Sequence, residues 1–149
     1  MEQIEFPQDF SEFLKLLNDH SVEYLLVGGF AVAIHGYPRA TSDMDVWVSR
    51  SLANAEKIVD CLRAFGFDLP NLGVEIFMKE DQVVRMGNAP VRIEFLTDID
   101  GVIFSECVQR ARTETIGGQQ VPVISLDDLK TNKRASGRHK DIAGLDNLP

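Results

Sequence analysis

The stretch VGGFAVAIHGYPRATSDMDV, residues 27–46, decides the fold that we expect for this chain of 149 residues. It opens at the end of a short apolar run, residues 24–27, which has the profile of a buried strand and stops at two glycines. Residues 30–35 then predict a short helix, and residues 44–48 predict a second strand. The order strand, diglycine, helix, strand is typical of a β-sheet that carries helices on its faces.

Helix signals flank this stretch on both sides. Apolar residues at helical spacing predict an amphipathic helix over residues 8–19. Ser51 can cap a helix that runs from residue 52 to about residue 65, and Gly66 would end it. A further helix is expected around residues 103–111.

The remaining segments predict several strands and one final helical region. Ser125 can cap a final helical region in which Asp128 reaches back to the cap, and Gly137 breaks that region. The alternation of elements predicts one α/β or α+β domain over residues 1–149, with a mixed β-sheet flanked by helices. The strand-like segments are 74–79, 82–86, 91–96 and about 120–124.

Composition limits the classes of function. Lys and Arg number 15 against 23 Asp and Glu, and the resulting net charge of −8 argues against a general nucleic-acid or membrane binder. The N-terminal residues lack a signal-peptide pattern, and the longest apolar run, residues 24–34, is too short to cross a bilayer. Cys61 and Cys107 suit buried thiols rather than a disulfide framework. We therefore expect a cytoplasmic protein without a membrane partner.

Two aspartates on one strand face form the first chemical signal. Asp43 and Asp45 lie two residues apart, which places their Cα atoms about 6.6 Å from each other on the same side of a strand. Their charges repel, and hard carboxylate oxygens suit Mg²⁺ or Mn²⁺. Glu94, on another predicted strand, would complete a three-carboxylate site for two ions roughly 3.5–4 Å apart if its strand were a neighbour. Solvated strand faces are the alternative for all three residues.

Glycines and basic residues form the second signal. Gly28 and Gly29 fall between a strand and a helix, where bare backbone amides can hold a phosphate, although a tight turn is the simpler interpretation. Arg39 precedes the aspartates and offers a bidentate fork for phosphate. The chain also ends in a basic segment, which is either a phosphate-binding surface or a solvated helix face. Its basic residues are Lys130, Lys133, Arg134, Arg138 and Lys140.

The combination of diglycine, spaced Asp-x-Asp and a later strand acid resembles the DNA polymerase β-type nucleotidyltransferase superfamily. More narrowly, the pattern Gly-Gly-x-Ala-x-x-x-His-Gly over residues 28–36 resembles bacterial nucleotidyltransferases related to the abortive-infection type IV toxins. Arg39 and Thr41 between that pattern and Asp43 extend the resemblance, and so does the tail over residues 123–141.

This resemblance implies a nucleotidyltransferase-like fold and metal-dependent transfer of a nucleoside monophosphate from an NTP to an acceptor. The acceptor would be RNA such as tRNA, a protein or a small molecule, and a partner protein or a second copy of the chain is also implied. Mg²⁺ or Mn²⁺ would be bound by the catalytic carboxylates Asp43, Asp45 and Glu94. The implied nucleotide-binding residues are Gly28, Gly29, Arg39, Thr41, Lys133, Arg138 and Lys140.

Two departures keep a second hypothesis open. Many superfamily members carry serine where this chain has Gly29, and aspartate is the commoner third acid where this chain has Glu94. The length of 149 residues also leaves no room for the additional domain of larger relatives. The alternative is a catalytically weak or inactive nucleotide-binding, regulatory component of a toxin–antitoxin-type system.

Overall fold

The computed structural model describes residues 8–36, 43–67, 72–88 and 91–137. Among these residues, the first five elements alternate between helix and strand, as the sequence pattern predicts. The helices are α1 (Gln8–Asp19), α2 (Gly28–Ile34), α3 (Leu52–Phe65), α4 (Phe104–Cys107) and α5 (Leu126–Ser136), with 3₁₀ segments at Val74–Phe77 and Val108–Arg110. The strands are β1 (Tyr24–Val27), β2 (Asp43–Val48), β3 (Val83–Asn88), β4 (Val91–Leu96), β5 (Arg112–Ile116) and β6 (Gln119–Val123).

The six strands form one mixed sheet in the order β3-β4-β2-β1-β6-β5. The central pair β1–β2 is antiparallel, whereas β2–β4 and β1–β6 are parallel. Two antiparallel hairpins, β3–β4 and β5–β6, form the outer parts of the sheet. The prediction of a mixed sheet flanked by helices is therefore confirmed.

One face of the sheet holds most of the core. Phe95 of β4 makes edge-to-face ring contacts with Phe13 of α1 at 5.8 Å and with Phe77 at 5.6 Å between centroids. Phe13 also contacts Phe65 at the end of α3, so α1 and α3 pack together over this face. Because side chains alternate along a strand, Asp43 and Asp45 must lie on the other face.

The second face is partly covered by α4. Trp47 of β2 shares the face of Asp45, is 1% exposed, and packs edge-to-face on Phe104 with 5.1 Å between ring centroids. The indole Nε1 of Trp47 donates a hydrogen bond to the carbonyl oxygen of Thr97 at 3.4 Å. These contacts fix the end of β2 that lies beyond the aspartates.

Three local predictions differ from the structure. Residues 74–79 do not form a strand, because a 3₁₀ turn over Val74–Phe77 buries Phe77 completely under the sheet. Only one α-helical turn, α4, forms within the helix expected at 103–111, and Ala111 is already extended. Strand β5 was not predicted, since its residues are mostly polar and exposed and only the Gly117–Gly118 turn signals a hairpin.

Helix α5 is fixed at its start by a cap and an ion pair. The Ser125 side chain accepts a hydrogen bond from the backbone N–H of Asp128 at 3.1 Å, as the capping pattern predicts. The Asp128 carboxylate, however, accepts two hydrogen bonds from Arg110, both at 3.0 Å. The Arg110 guanidinium thereby lowers the pKa of Asp128. Gly137, in the left-handed region with φ 66°, ends the helix.

Both cysteines are buried, as predicted. Burial raises the pKa of Cys61 to about 12 and that of Cys107 to about 11, so neither thiol is a ready nucleophile. In the described parts of the chain, no helix has the length and apolar character needed to cross a membrane.

Candidate active site

The register of β2 against β4 brings the predicted acids to one level of the sheet. The two strands are parallel neighbours, with Asp45 opposite Glu94 and Asp43 opposite Arg92. Residues that face each other in register project to the same side of the sheet. Asp43, Asp45 and Glu94 therefore share one face of two adjacent strands.

Gly28 makes room for the Asp45 carboxylate. Asp45 lies opposite Val27 in the antiparallel β1–β2 pair, at the point where β1 passes into α2. A Cβ atom placed on Gly28 would lie 2.0 Å from Oδ2 of Asp45, and the backbone of Gly28 has φ 67°, in the left-handed region. Both facts require glycine here. The sequence interpretation of Gly28 was either phosphate binding or a tight turn, and it missed this steric role.

Asp45 has the most perturbed environment among the three acids. Its Oδ1 is buried and has no hydrogen-bond partner among the described residues. Burial, a hydrogen bond to Glu94 and the negative charges of Glu94 and Asp43 raise the pKa of Asp45 to about 7, and Lys133 opposes this change. A buried carboxylate oxygen without a partner is costly, so this atom calls for a cation or a proton.

The other two acids are paired with arginines that sequence reasoning missed. Glu94 has an exposed side-chain fraction of only 16%, and its Oε1 accepts a hydrogen bond from Nε of Arg85 at 2.8 Å. Asp43 lies 3.5 Å from Nη1 of Arg92. Arg92 lies two residues before Glu94 on β4, and this spacing alone places both side chains on one face. The position of Arg85, by contrast, depends on the β3–β4 register.

Helix α5 brings one residue of the basic segment to the site. Lys133 is only 8% exposed and lies near enough to Asp45 to lower its pKa. Arg134, by contrast, is exposed. Gly29 is buried in the first turn of α2, beside Gly28. The predicted site residues Arg39, Thr41, Arg138 and Lys140 lie outside the described residues.

The predicted cation fits the donor chemistry of the site. All three candidate ligands are carboxylates, the oxygen donors that Mg²⁺ and Mn²⁺ prefer, and Asp45 Oδ1 is a buried donor without a partner. As the side chains lie, however, no group of three or more acidic, His or Cys side chains in the described residues is arranged to hold an ion. Glu94 and Asp43 are engaged by Arg85 and Arg92 instead. Side-chain rotation, without any change of register, would have to complete the ligand set.

The chain is similar to known proteins in overall fold and in sequence. The chain is similar in fold to a candidate nucleotidyltransferase from Thermotoga maritima, known from a crystal structure. That likeness has a TM-score of 0.58 at 15% identity and covers 93% of this chain and 89% of the other. No curated protein matches the sequence significantly. A family model described as "Nucleotidyl transferase of unknown function (DUF2204)" matches residues 7–149. Because this match spans nearly all of the sequence, the chain belongs to that nucleotidyl transferase family.

Proposed function

We propose that the protein is a metal-dependent nucleotidyltransferase that moves a nucleoside monophosphate from an NTP to an acceptor hydroxyl. Membership of a nucleotidyl transferase family supports the general reaction. The observation that carries the metal dependence is Asp45, whose buried Oδ1 has no partner among the described residues and which lies beside Glu94 on the same sheet face. The narrower relation to abortive-infection toxins stays a prediction.

Each described site residue has a distinct role in this proposal. Asp43, Asp45 and Glu94 would hold Mg²⁺ or Mn²⁺, which when bound supplies positive charge for the α-phosphate and for the pyrophosphate leaving group. Lys133 would contribute a positive charge toward the triphosphate. Gly28 gives Asp45 the space to lie against the start of α2.

The reaction requires one proton transfer. The acceptor oxygen forms a bond to the α-phosphorus, and the bond from that phosphorus to the bridging oxygen breaks, so that pyrophosphate leaves. Glu94 lies next to Asp45 and takes the proton of the acceptor hydroxyl as general base.

A label-tracking assay tests the reaction. The purified protein is incubated with Mg²⁺ or Mn²⁺ and each of the four NTPs, labelled in parallel at the α- or the γ-phosphate. Cellular RNA, protein and small-molecule fractions are the candidate acceptors. We expect the α label on one acceptor class and the γ label in pyrophosphate. Asp45→Asn should abolish the transfer, whereas Asp60→Asn, an exposed change on α3, should retain it.

Two results would contradict the proposal. Retention of the γ label on the acceptor would indicate phosphate transfer rather than nucleotidyl transfer. Metal-dependent NTP binding with no transfer to any fraction would favour the regulatory, nucleotide-binding alternative. In that case, co-purification of the native protein would be needed to identify a partner protein.

A further inference from the structure

Two of the three carboxylates of the candidate site form ion pairs with arginines of the same chain. The two arginines offset the charges of Glu94 and Asp43, so these carboxylates are neutralised locally although the whole protein has a net charge of −8. The pairs are Glu94 with Arg85 and Asp43 with Arg92, and Lys133 lies near enough to Asp45 to lower its pKa.

These pairs oppose a divalent cation that arrives alone. Such a cation would compete with the guanidinium groups for Glu94 and Asp43 and would add two positive charges beside those of Arg85 and Arg92. A nucleotide-bound cation brings phosphate groups, whose negative charges offset both the metal and the displaced side chains. The ion pairs within the protein therefore weaken the binding of a lone cation more than the binding of a cation–nucleotide complex.

Arg85 is best placed to control this competition. It belongs to β3, the edge strand of the sheet, and its side chain is 70% exposed, whereas its partner Glu94 is 16% exposed. The guanidinium can therefore leave into solvent while the carboxylate stays in place. Its contact to Glu94 uses Nε, at 2.8 Å, and Glu94 lies opposite Asp45 in the β2–β4 register.

We infer that Arg85 is a positioning residue that pairs with Glu94 and lowers the affinity of the site for a divalent cation that arrives without nucleotide. The inference rests on the proposed function and adds how metal and nucleotide affect each other's binding. Metal and nucleotide should strengthen each other's binding, because nucleotide phosphates compensate the charge that the metal displaces. Such a coupling is reciprocal between the two ligands.

A titration of the purified protein with Mn²⁺ tests this inference. Bound Mn²⁺ is measured as loss of the electron paramagnetic resonance signal of the free ion, so the test does not depend on enzymatic activity. Parent, Arg85→Gln, Arg85→Lys and Arg112→Gln are compared with and without a non-hydrolysable NTP. Arg112 is the matched control, since it is an exposed arginine on the opposite edge strand, β5, and pairs with Glu114.

Without nucleotide, Arg85→Gln should bind Mn²⁺ about three- to tenfold more tightly than the parent, because one nearby positive charge is removed. The Mn²⁺ affinities of Arg85→Lys and Arg112→Gln should stay within about twofold of that of the parent. Nucleotide should reduce the difference in Mn²⁺ affinity between Arg85→Gln and the parent. Equal or weaker Mn²⁺ binding by Arg85→Gln overturns the inference, provided that the parent binds Mn²⁺ with nucleotide. If the parent does not bind Mn²⁺ even then, the proposed metal-dependent function itself fails.

Discussion

Replacement of Asp45 by Asn should stabilise the protein at neutral and alkaline pH. Burial and neighbouring acids raise the pKa of Asp45 from 3.8 to about 7 in the folded protein. In the unfolded chain this carboxyl group loses its proton near its ordinary pKa, so between about pH 4 and pH 7 the folded state binds more protons. The contribution of Asp45 to the free energy of unfolding of the parent therefore falls as the pH rises through this window, and it stays low above it.

The difference in pKa sets the size of the effect. Each pKa unit corresponds to about 1.4 kcal/mol, so the full difference is about 4 kcal/mol. Salt screening and rearrangement of Glu94 reduce it, and we expect Asp45→Asn to gain roughly 2–4 kcal/mol over the parent at pH 8. At pH 4, where Asp45 is neutral in the folded state, the gain should nearly vanish.

Urea unfolding followed by far-ultraviolet circular dichroism at pH 4, 6 and 8 measures this difference. Asp60→Asn controls for the loss of one surface charge, because Asp60 is exposed on α3. An Asp45→Asn variant that is less stable than the parent at pH 8, or whose gain is the same at pH 4 and pH 8, would refute the reasoning. Asp45 would then be a structural acid with a compensated charge.

Three further predictions concern the same site. Mg²⁺ or Mn²⁺ should raise the melting temperature of the parent, and NTP should increase this rise. At a metal concentration a hundred times the dissociation constant, the stabilisation should equal about 2.7 kcal/mol. Asp45→Asn should abolish the rise, and no rise in the parent would contradict the metal site. Gly28→Ala should cost at least about 1–2 kcal/mol in urea unfolding, since φ is 67° and the new Cβ would overlap Asp45; an unchanged stability would show that Asp45 moves aside freely. Arg138→Ala should weaken binding of the Mg²⁺–NTP complex by about 1.5–3 kcal/mol in calorimetric titration, as expected for loss of a charged hydrogen bond; parental affinity would assign the residue to a solvated surface.

Local sequence patterns were sufficient for the central strands and for the acids that they carry. Asp43 and Asp45 alternate with the apolar residues of β2, and this period alone places them on one face. The same period on β4 places Glu94 opposite the buried face. The prediction that these acids come from neighbouring strands required only one further assumption about pairing, and the β2–β4 register satisfies it.

Long-range pairing explains what sequence reasoning missed. Arg85 reaches Glu94 only because β3 and β4 pair in one particular register, which no local pattern specifies. The steric role of Gly28 likewise arises because the β1–β2 pairing brings it against Asp45, seventeen positions further along the chain. The apolar segment Val74–Phe77 satisfied a strand pattern, but a short apolar run does not distinguish a strand from a buried helical turn.

The position of Trp47 provides an intrinsic optical reporter of the site. It is the only tryptophan in the chain, and it lies on the same strand and the same face as Asp45, two residues further on. Its ring is enclosed by Phe104, and its indole N–H is bound to Thr97. Any ligand that displaces β2 must disturb this enclosure, so the wavelength and polarisation of its emission would report binding without an attached dye.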